Sequence, residues 1–194
     1  MVNALTGVLA LQGDFAEHVD LLRSCGYRVI EVRTAAELES CDALIIPGGE
    51  STTILKMIDR YELRDPICKK IESGLPVLGT CAGAIVIASK TSDGQPPLKM
   101  LDISLHRNAY GTQVDSFEAE VTVDGIEGGP VLGAFIRAPI IDSVGSGVTI
   151  MAEHEGDPVV VSQGSILATT FHPEITKDIR LHRYFVERVV GDAP

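Results

Sequence analysis

Cys81 lies in Gly79-Thr80-Cys81-Ala82-Gly83, after the apolar run Pro76-Val77-Leu78 and before a helix-compatible run, Ala84 to Ser89. That pattern predicts a strand, a sharp turn with the thiol at its apex, and a helix. Glycines at both flanking positions let the backbone make a tight, strained turn in which a side chain would clash. The sulfur then sits near a helix N-terminus, whose unpaired amides and positive dipole end favour a thiolate. Late in the chain stands Phe171-His172-Pro173-Glu174. A Cys on an elbow, a distant His and a carboxylate just past it supply a nucleophile, a base and a group that orients the base. His172 would remove the thiol proton and return one to the leaving group. Glu174 would orient the imidazole and stabilise its cation.

Thiolate attack on a carbonyl makes a tetrahedral oxyanion, which two backbone N–H groups normally stabilise. Ala82, directly after the nucleophile, supplies one. Gly49, in the loop Pro47-Gly48-Gly49-Glu50-Ser51, is the expected second donor, because glycine lets a peptide approach or flip toward a substrate. The alternative for that loop is a phosphate cradle, but a phosphate loop wants a following Lys, and Lys56 is too far along. Cys25, Cys41 and Cys68 lack an elbow and are read as small apolar side chains. His18, His106, His154 and His182 are read as structural or exposed. No CxxC or HxxxH spacing points to a metal site.

These groups must be positioned by a fold, and 194 residues suit one domain, 1–194, with a full core. The net charge of −11 argues against nonspecific binding to nucleic acid or an anionic membrane. No stretch has the apolar length of a membrane span, and the start of the chain shows no export signal. A reducing cytoplasm is the compartment expected for four cysteines without paired spacing.

The first half alternates strands and helices. Leu5 to Leu11 reads as a buried strand, followed by a turn at Gln12-Gly13. Asp14-Phe15-Ala16-Glu17 has capping-box spacing. Phe15, Val19 and Leu22 recur at helical spacing, and Gly26 closes that helix. Arg28 to Val32 and Ala43 to Ile46 are strands. Ser51 is the expected cap of a helix running to about Arg60. Pro66 fits the first turn of another helix that Gly74 ends. Such alternation implies right-handed βαβ units and a parallel sheet, with the site at the carboxyl ends of its strands. Three loops qualify: Leu11 to Gly13, Pro47 to Ser51, and Gly79 to Gly83. Thr91 to Pro97 is a loop. From Met100 to Thr170 the pattern is mostly short strands, with Phe117, Ala119, Val121 and Val123 alternating as in a half-buried antiparallel strand. Asp178 to Val190 reads as a closing helix.

Together these residues resemble the class I glutamine amidotransferases, and more narrowly the glutaminase subunit of pyridoxal 5′-phosphate synthase. The elbow and His-Pro-Glu carry the wider resemblance. The Pro47-to-Ser51 loop belongs with that wider resemblance; Leu11-Gln12-Gly13, Pro47 to Thr53 and Arg107-Asn108 also look like the narrower family's blocks, and Arg107, Gln113 to Glu118 and Phe135-Ile136-Arg137-Ala138-Pro139 narrow the resemblance to it. The resemblance implies a three-layer α/β sandwich around a mostly parallel central sheet, flavodoxin-like, with extra antiparallel strands. It implies hydrolysis of L-glutamine to glutamate and ammonia by Cys81, His172 and Glu174. The ammonia passes to a (β/α)₈ synthase subunit in a larger hetero-oligomer, and no cofactor is implied in this chain. Glutamine contacts fall on Gly49, Glu50, Ser51, Arg107, Ile136 and Arg137. The chemistry agrees: an arginine can pair with the α-carboxylate by a charge-assisted fork, and Glu50 can complement the ammonium. For each arginine the alternative is a surface or interdomain salt bridge. Two other functions stay open at this level: a free-standing cysteine hydrolase such as a peptidase or γ-glutamyl hydrolase, and a non-catalytic assembly subunit.

Overall fold

The structure, a computed structural model, describes residues 4–92, 96–106 and 116–189. Arg107, Asn108 and Gln113 to Asp115 lie outside the described residues. The first half runs β1 (Leu5–Leu9), α1 (Phe15–Ser24), β2 (Arg28–Val32), α2 (Ala35–Glu39), β3 (Ala43–Ile46), α3 (Ser51–Arg60), α4 (Arg64–Glu72), β4 (Val77–Thr80) and α5 (Ala82–Ile87). The second runs β5 (Ala88–Thr91), β6 (Leu101–His106), β7 (Phe117–Val121), β8 (Val131–Phe135), β9 (Ile140–Val144), β10 (Thr149–His154), β11 (Asp157–Gln163) and β12 (Ile166–Thr169). Helix α6 (Arg180–Tyr184) then passes into a π-helical segment, Phe185–Val189.

The main sheet has seven strands in the order β10-β11-β12-β4-β3-β1-β2. From β12 to β2 the pairing is parallel, and β10 and β11 add an antiparallel edge. Strands β3, β4 and β12 are buried at every position, as expected of strands covered on both faces. Alternation along them sends side chains into two cores. Leu44, Ile46, Val77 and Ala168 pack with α3, α4, α5 and β6. Ala43, Ile45, Leu78 and Leu167 pack with α1, α6 and the β7–β8 hairpin. The result is the expected three-layer α/β sandwich with extra antiparallel strands. Smaller sheets, β5-β6-β9 and β7-β8, belong to the outer layers.

Several element ends differ from those expected, each for a physical reason. Helix α2 was not expected and comes from a capping box: Thr34 Oγ1 accepts the Glu37 amide, and the Glu37 carboxylate accepts the Thr34 amide. The box expected at Asp14 does not form; Asp14 makes no side-chain cap bond. Ser51 does not cap α3. Glu50 does, accepting from the Thr52 and Thr53 amides and from Thr53 Oγ1. The helix after Cys81 starts at Ala82 and ends at Ile87, because Ala88 turns extended and Ser89 joins β5. The closing helix begins at Arg180, where Asp178 accepts the Arg180 amide and pairs with its guanidinium.

Candidate active site

Strands β1 and β3 are neighbours, but the chain leaves β1 toward β2 on the opposite side, so the sheet has a switch point between them. Loops diverge there and leave a crevice at the carboxyl ends. Four segments meet at it: residues 12–14 after β1, residues 47–50 after β3, Cys81 after β4, and residues 170–174 after β12. A cavity of about 380 Å³ opens between them, lined by Cys81, His172, Gly49, Glu50, Ser51, Ala82, Ile136 and Arg137 among others. That volume is in the range of small-molecule sites. Gln12, Asp14, Ile85, Pro139 and Ile175 also line it; of these, only Gln12 lies in a loop expected at the strand ends. Glu174 is buried at 2 % exposure and is not among the lining residues.

The elbow is built differently from the sequence expectation. The backbone strain sits on Cys81 itself, at φ 47° and ψ −105°. Such a conformation costs on the order of 1–3 kcal/mol in a non-glycine residue. It is held by the Cys81 amide, which donates to Thr169 O at 2.8 Å, and by the Ala84 amide, which donates to Cys81 O at 3.1 Å. The flanking glycines permit close packing instead. A Cβ on Gly83 would stand 1.9 Å from Ile46 O, and one on Gly79 would stand 2.9 Å from Gly83 C. Helix α5 therefore lies directly on the end of β3. Gly83→Ala is expected to destabilise the fold by about 3 kcal/mol, the upper range for forced overpacking. That corresponds to a thermal midpoint roughly 6–12 °C lower. Circular dichroism melting checks it; an unchanged midpoint would show that α5 can shift freely.

His172 is set by an antiparallel bridge to Ala134: its amide donates to Ala134 O at 2.8 Å, and its carbonyl accepts the Ala134 amide at 3.3 Å. The same bridge places β8, and with it Ile136 and Arg137, beside the imidazole. Phe171 is fully buried against Phe135, ring centroids 5.2 Å apart, and locks the turn. His172 Nδ1 lies 2.8 Å from Glu174 Oε1. An ionised carboxylate only accepts, so Nδ1 carries the proton. Cys81 lines the same cavity as the ring. Burial alone would pull the His172 pKa down, but its interactions with Cys81 and Glu174 outweigh it and carry it up to about 10. Burial pushes the Glu174 carboxyl up, opposed by its bond from His172.

Asp14 explains its missing cap here. Its Oδ2 stands 3.4 Å from His172 Nδ1, so the carboxylate faces the imidazole instead of its own helix. The ligand atoms of Asp14, His172 and Glu174 lie within 4.8 Å of one another, a grouping already accounted for by the Nδ1 hydrogen bond. The 47–50 loop is tied to the β1 loop at two points. The Glu50 amide donates to Gln12 Oε1 at 2.9 Å, and the Asp14 amide donates to Gly48 O at 3.2 Å. Gly49 has φ +139°, a conformation that other side chains resist. Arg137 also has positive φ, 47°.

His18 and His182, read from sequence as structural or exposed, are both fully buried next to this site. His18 Nε2 lies 3.4 Å from Glu174 Oε2. No local spacing rule could have found it, since the contact joins α1 to the turn after β12.

A mostly parallel sheet with Cys on the elbow of one strand and His delivered by its neighbour is the architecture of the class I glutamine amidotransferases. A solved structure described as a glutamine amidotransferase superposes with TM-score 0.91 at 48% identity, covering 96% of this chain and 98% of that one. The structure of PurLQS from Thermotoga maritima shares the fold alone, with TM-score 0.69 at 14% identity, over 96% and 99% of the two chains. The chain belongs to the SNO glutamine amidotransferase family, whose model matches residues 8–191. It is 50% identical over 186 residues to the pyridoxal 5′-phosphate synthase subunit PdxT of Parafrankia sp. (strain EAN1pec), covering 94% of this chain and 92% of that protein. It is 47% identical over 184 residues to PdxT of Thermotoga neapolitana, covering 94% and 98%.

Proposed function

We propose that this chain is the glutaminase subunit of a pyridoxal 5′-phosphate synthase, hydrolysing L-glutamine and delivering ammonia to a (β/α)₈ synthase subunit. The observation that carries the reading is that Cys81 and His172 line one cavity of small-molecule size, with His172 bonded to buried Glu174. With Nδ1 protonated and held by Glu174, the other ring nitrogen is the one available to the thiol. His172, whose pKa of about 10 keeps it protonated near pH 7, holds the proton taken from the thiol before Cys81 Sγ attacks the glutamine side-chain carbonyl, then gives it to the leaving ammonia. Water hydrolyses the thioester by the same base. The amides of Ala82 and Gly49 stabilise the oxyanion of both steps.

Arg137 makes no ion pair among the described residues, so its guanidinium is available to a substrate carboxylate. Arg107 stays in the proposal on the strength of the motif. Glu50 has a reduced share in holding the ammonium, because its carboxylate already accepts from Thr52 and Thr53. Ile136 and Ile175, 36% and 38% exposed, line the same cavity; apolar side chains there suit coverage by a partner that keeps ammonia from water. Four unpaired cysteines fit a cytoplasmic setting. No helix among the described residues is long and apolar enough to cross a membrane.

The test combines the chain with the barrel component of a pyridoxal phosphate synthase and follows glutamate and pyridoxal phosphate together. Glutamine should support synthesis only when this chain is present, and an ammonium salt should make the chain dispensable. A complex that forms no glutamate from glutamine would overturn the reading. Within that assay, Arg137→Ala is expected to raise the glutamine KM with little change in kcat, a loss of about 1.5–3 kcal/mol of uniform binding. An unaltered KM would move Arg137 to the partner interface.

A further inference from the structure

We propose that His18 is a positioning residue for the triad: the positive Nε2–H edge of its ring stands against Glu174 Oε2, and His182 holds the ring in the tautomer that allows this. The inference rests on the glutaminase reading above and extends it by one residue that the resemblance did not supply.

The geometry is a buried chain of side chains from four elements. His18 on α1 places Nδ1 2.8 Å from His182 Nε2 on α6 and Nε2 3.1 Å from Thr80 Oγ1 on β4. Its Nε2 is also 3.4 Å from Glu174 Oε2. Glu174 spends Oε1 on His172, and its Oε2 makes no hydrogen bond among the described residues. A buried carboxylate oxygen without a donor is costly, and a donor here would hold the group ionised.

Counting protons selects one tautomer. Burial depresses both imidazoles: His18 well below its ordinary value, with His182 adding to the effect, and His182 to about 4. Both rings are therefore neutral near pH 7, and each carries one N–H. If His18 were protonated on Nδ1, His182 would carry its proton on Nδ1, an atom with no partner. His18 would also aim a lone pair at the Glu174 carboxylate. The opposite assignment leaves no buried N–H unpaired. His182 Nε2–H donates to His18 Nδ1, and His18 Nε2–H donates to Thr80 Oγ1 with its positive edge 3.4 Å from Glu174 Oε2. Leaving an acceptor bare at His182 Nδ1 costs less than stranding a donor there and facing lone pair to carboxylate.

The consequence falls on His172. The groups facing Glu174 are His172, His18 and Asp14, and the Asp14 charge opposes Glu174 ionisation. With burial and the Asp14 charge pushing the proton on, the His18 N–H edge adds to the bond from His172 in keeping Glu174 able to support an imidazolium. Its loss should lower the His172 pKa and slow the chemical step without touching glutamine contacts.

Two substitutions separate this from a packing role. Gln at position 18 places its amide where Nε2 stood. Asn reaches only to Nδ1, so it can keep the His182 contact but cannot reach Glu174. His18→Gln is expected to keep kcat of the complex within about threefold. His18→Asn is expected to lose about tenfold or more in kcat, the scale of outer-shell partners elsewhere, with glutamine KM within about twofold. Ring-nitrogen NMR of the isolated chain should place the His172 pKa near the wild-type value in the Gln variant and lower in the Asn variant. Equal kcat and equal His172 titration in the two variants, beside an active wild type, would overturn the His18 assignment alone. A wild-type complex without glutamine turnover would overturn the triad reading beneath it. Thermal unfolding monitors both variants; a kcat loss that follows the melting midpoint while the His172 titration stays fixed would also overturn the assignment.

Discussion

Replacing Cys81 by serine is expected to abolish glutamine hydrolysis, by about 10⁴-fold or more, while the chain stays folded. The oxygen for sulfur exchange removes no packing atom. The strained backbone at Cys81 is held by main-chain bonds to Thr169 and Ala84, which serine keeps, so stability should change by less than about 1 kcal/mol. The loss is chemical. A serine hydroxyl is a far weaker acid than a thiol, and a single His–Glu pair matched to a thiol does not ionise it. His172→Ala should be nearly as damaging, because the proton then has no acceptor. Glu174→Gln should be milder, since it keeps the shape and loses charge support for the imidazolium. Ammonia release by folded variant protein is the measurement. Turnover of the serine variant near wild type would remove Cys81 as the nucleophile, and a Glu174 variant worse than the His172 variant would mean their roles are misassigned.

Saturating the chain with its synthase partner is expected to raise its glutaminase rate a hundredfold or more. Ammonia released without an acceptor is wasted, and the proposed lever is the loop after β3. The Gly48–Gly49 peptide is held in one orientation by the Asp14 amide, which bonds Gly48 O at 3.2 Å. Turning it breaks that one bond, a net cost of about 0.5–1.5 kcal/mol. One oxyanion donor is worth about 2.7–4 kcal/mol in the transition state. A partner that binds the loop side of the sheet needs only to favour the donating orientation, and its differential affinity for the two orientations sets the gain. The neighbouring Gln12 side chain, bonded to the Glu50 amide, is a further handle on the same loop. Steady-state glutaminase activity of the chain alone, against the chain saturated with synthase, decides the matter. Equal rates would remove the activation and favour a free-standing hydrolase.

The chemistry-bearing residues were readable because their signals are local. An elbow needs strand, glycine, Cys and helix in sequence, and a base with its carboxylate two positions on is equally compact. Strand cores such as Ala43–Ile46 and Val77–Thr80 announce themselves as short apolar runs, because a strand covered on both faces has no polar side to show. Residue type and spacing thus determined the layered fold and singled out Cys81, His172 and Glu174 as the proposed nucleophile, base and orienter. Where one residue had a choice of partners, tertiary contact made the choice. Asp14 has the spacing of a cap, yet it faces His172, because the β1 and β12 loops converge at the switch point. Glu50, not Ser51, caps α3, since Gln12 holds its amide and leaves its carboxylate above the first turn. The flanking glycines of the elbow answer to β3 packing, a neighbour that sequence order does not supply. His18 and His182 are 164 positions apart and meet at 2.8 Å only because α1 and α6 share one face of the sheet. A buried polar chain of that kind is fixed by proton counting among groups that only the folded chain brings together, so no spacing along the sequence could encode it.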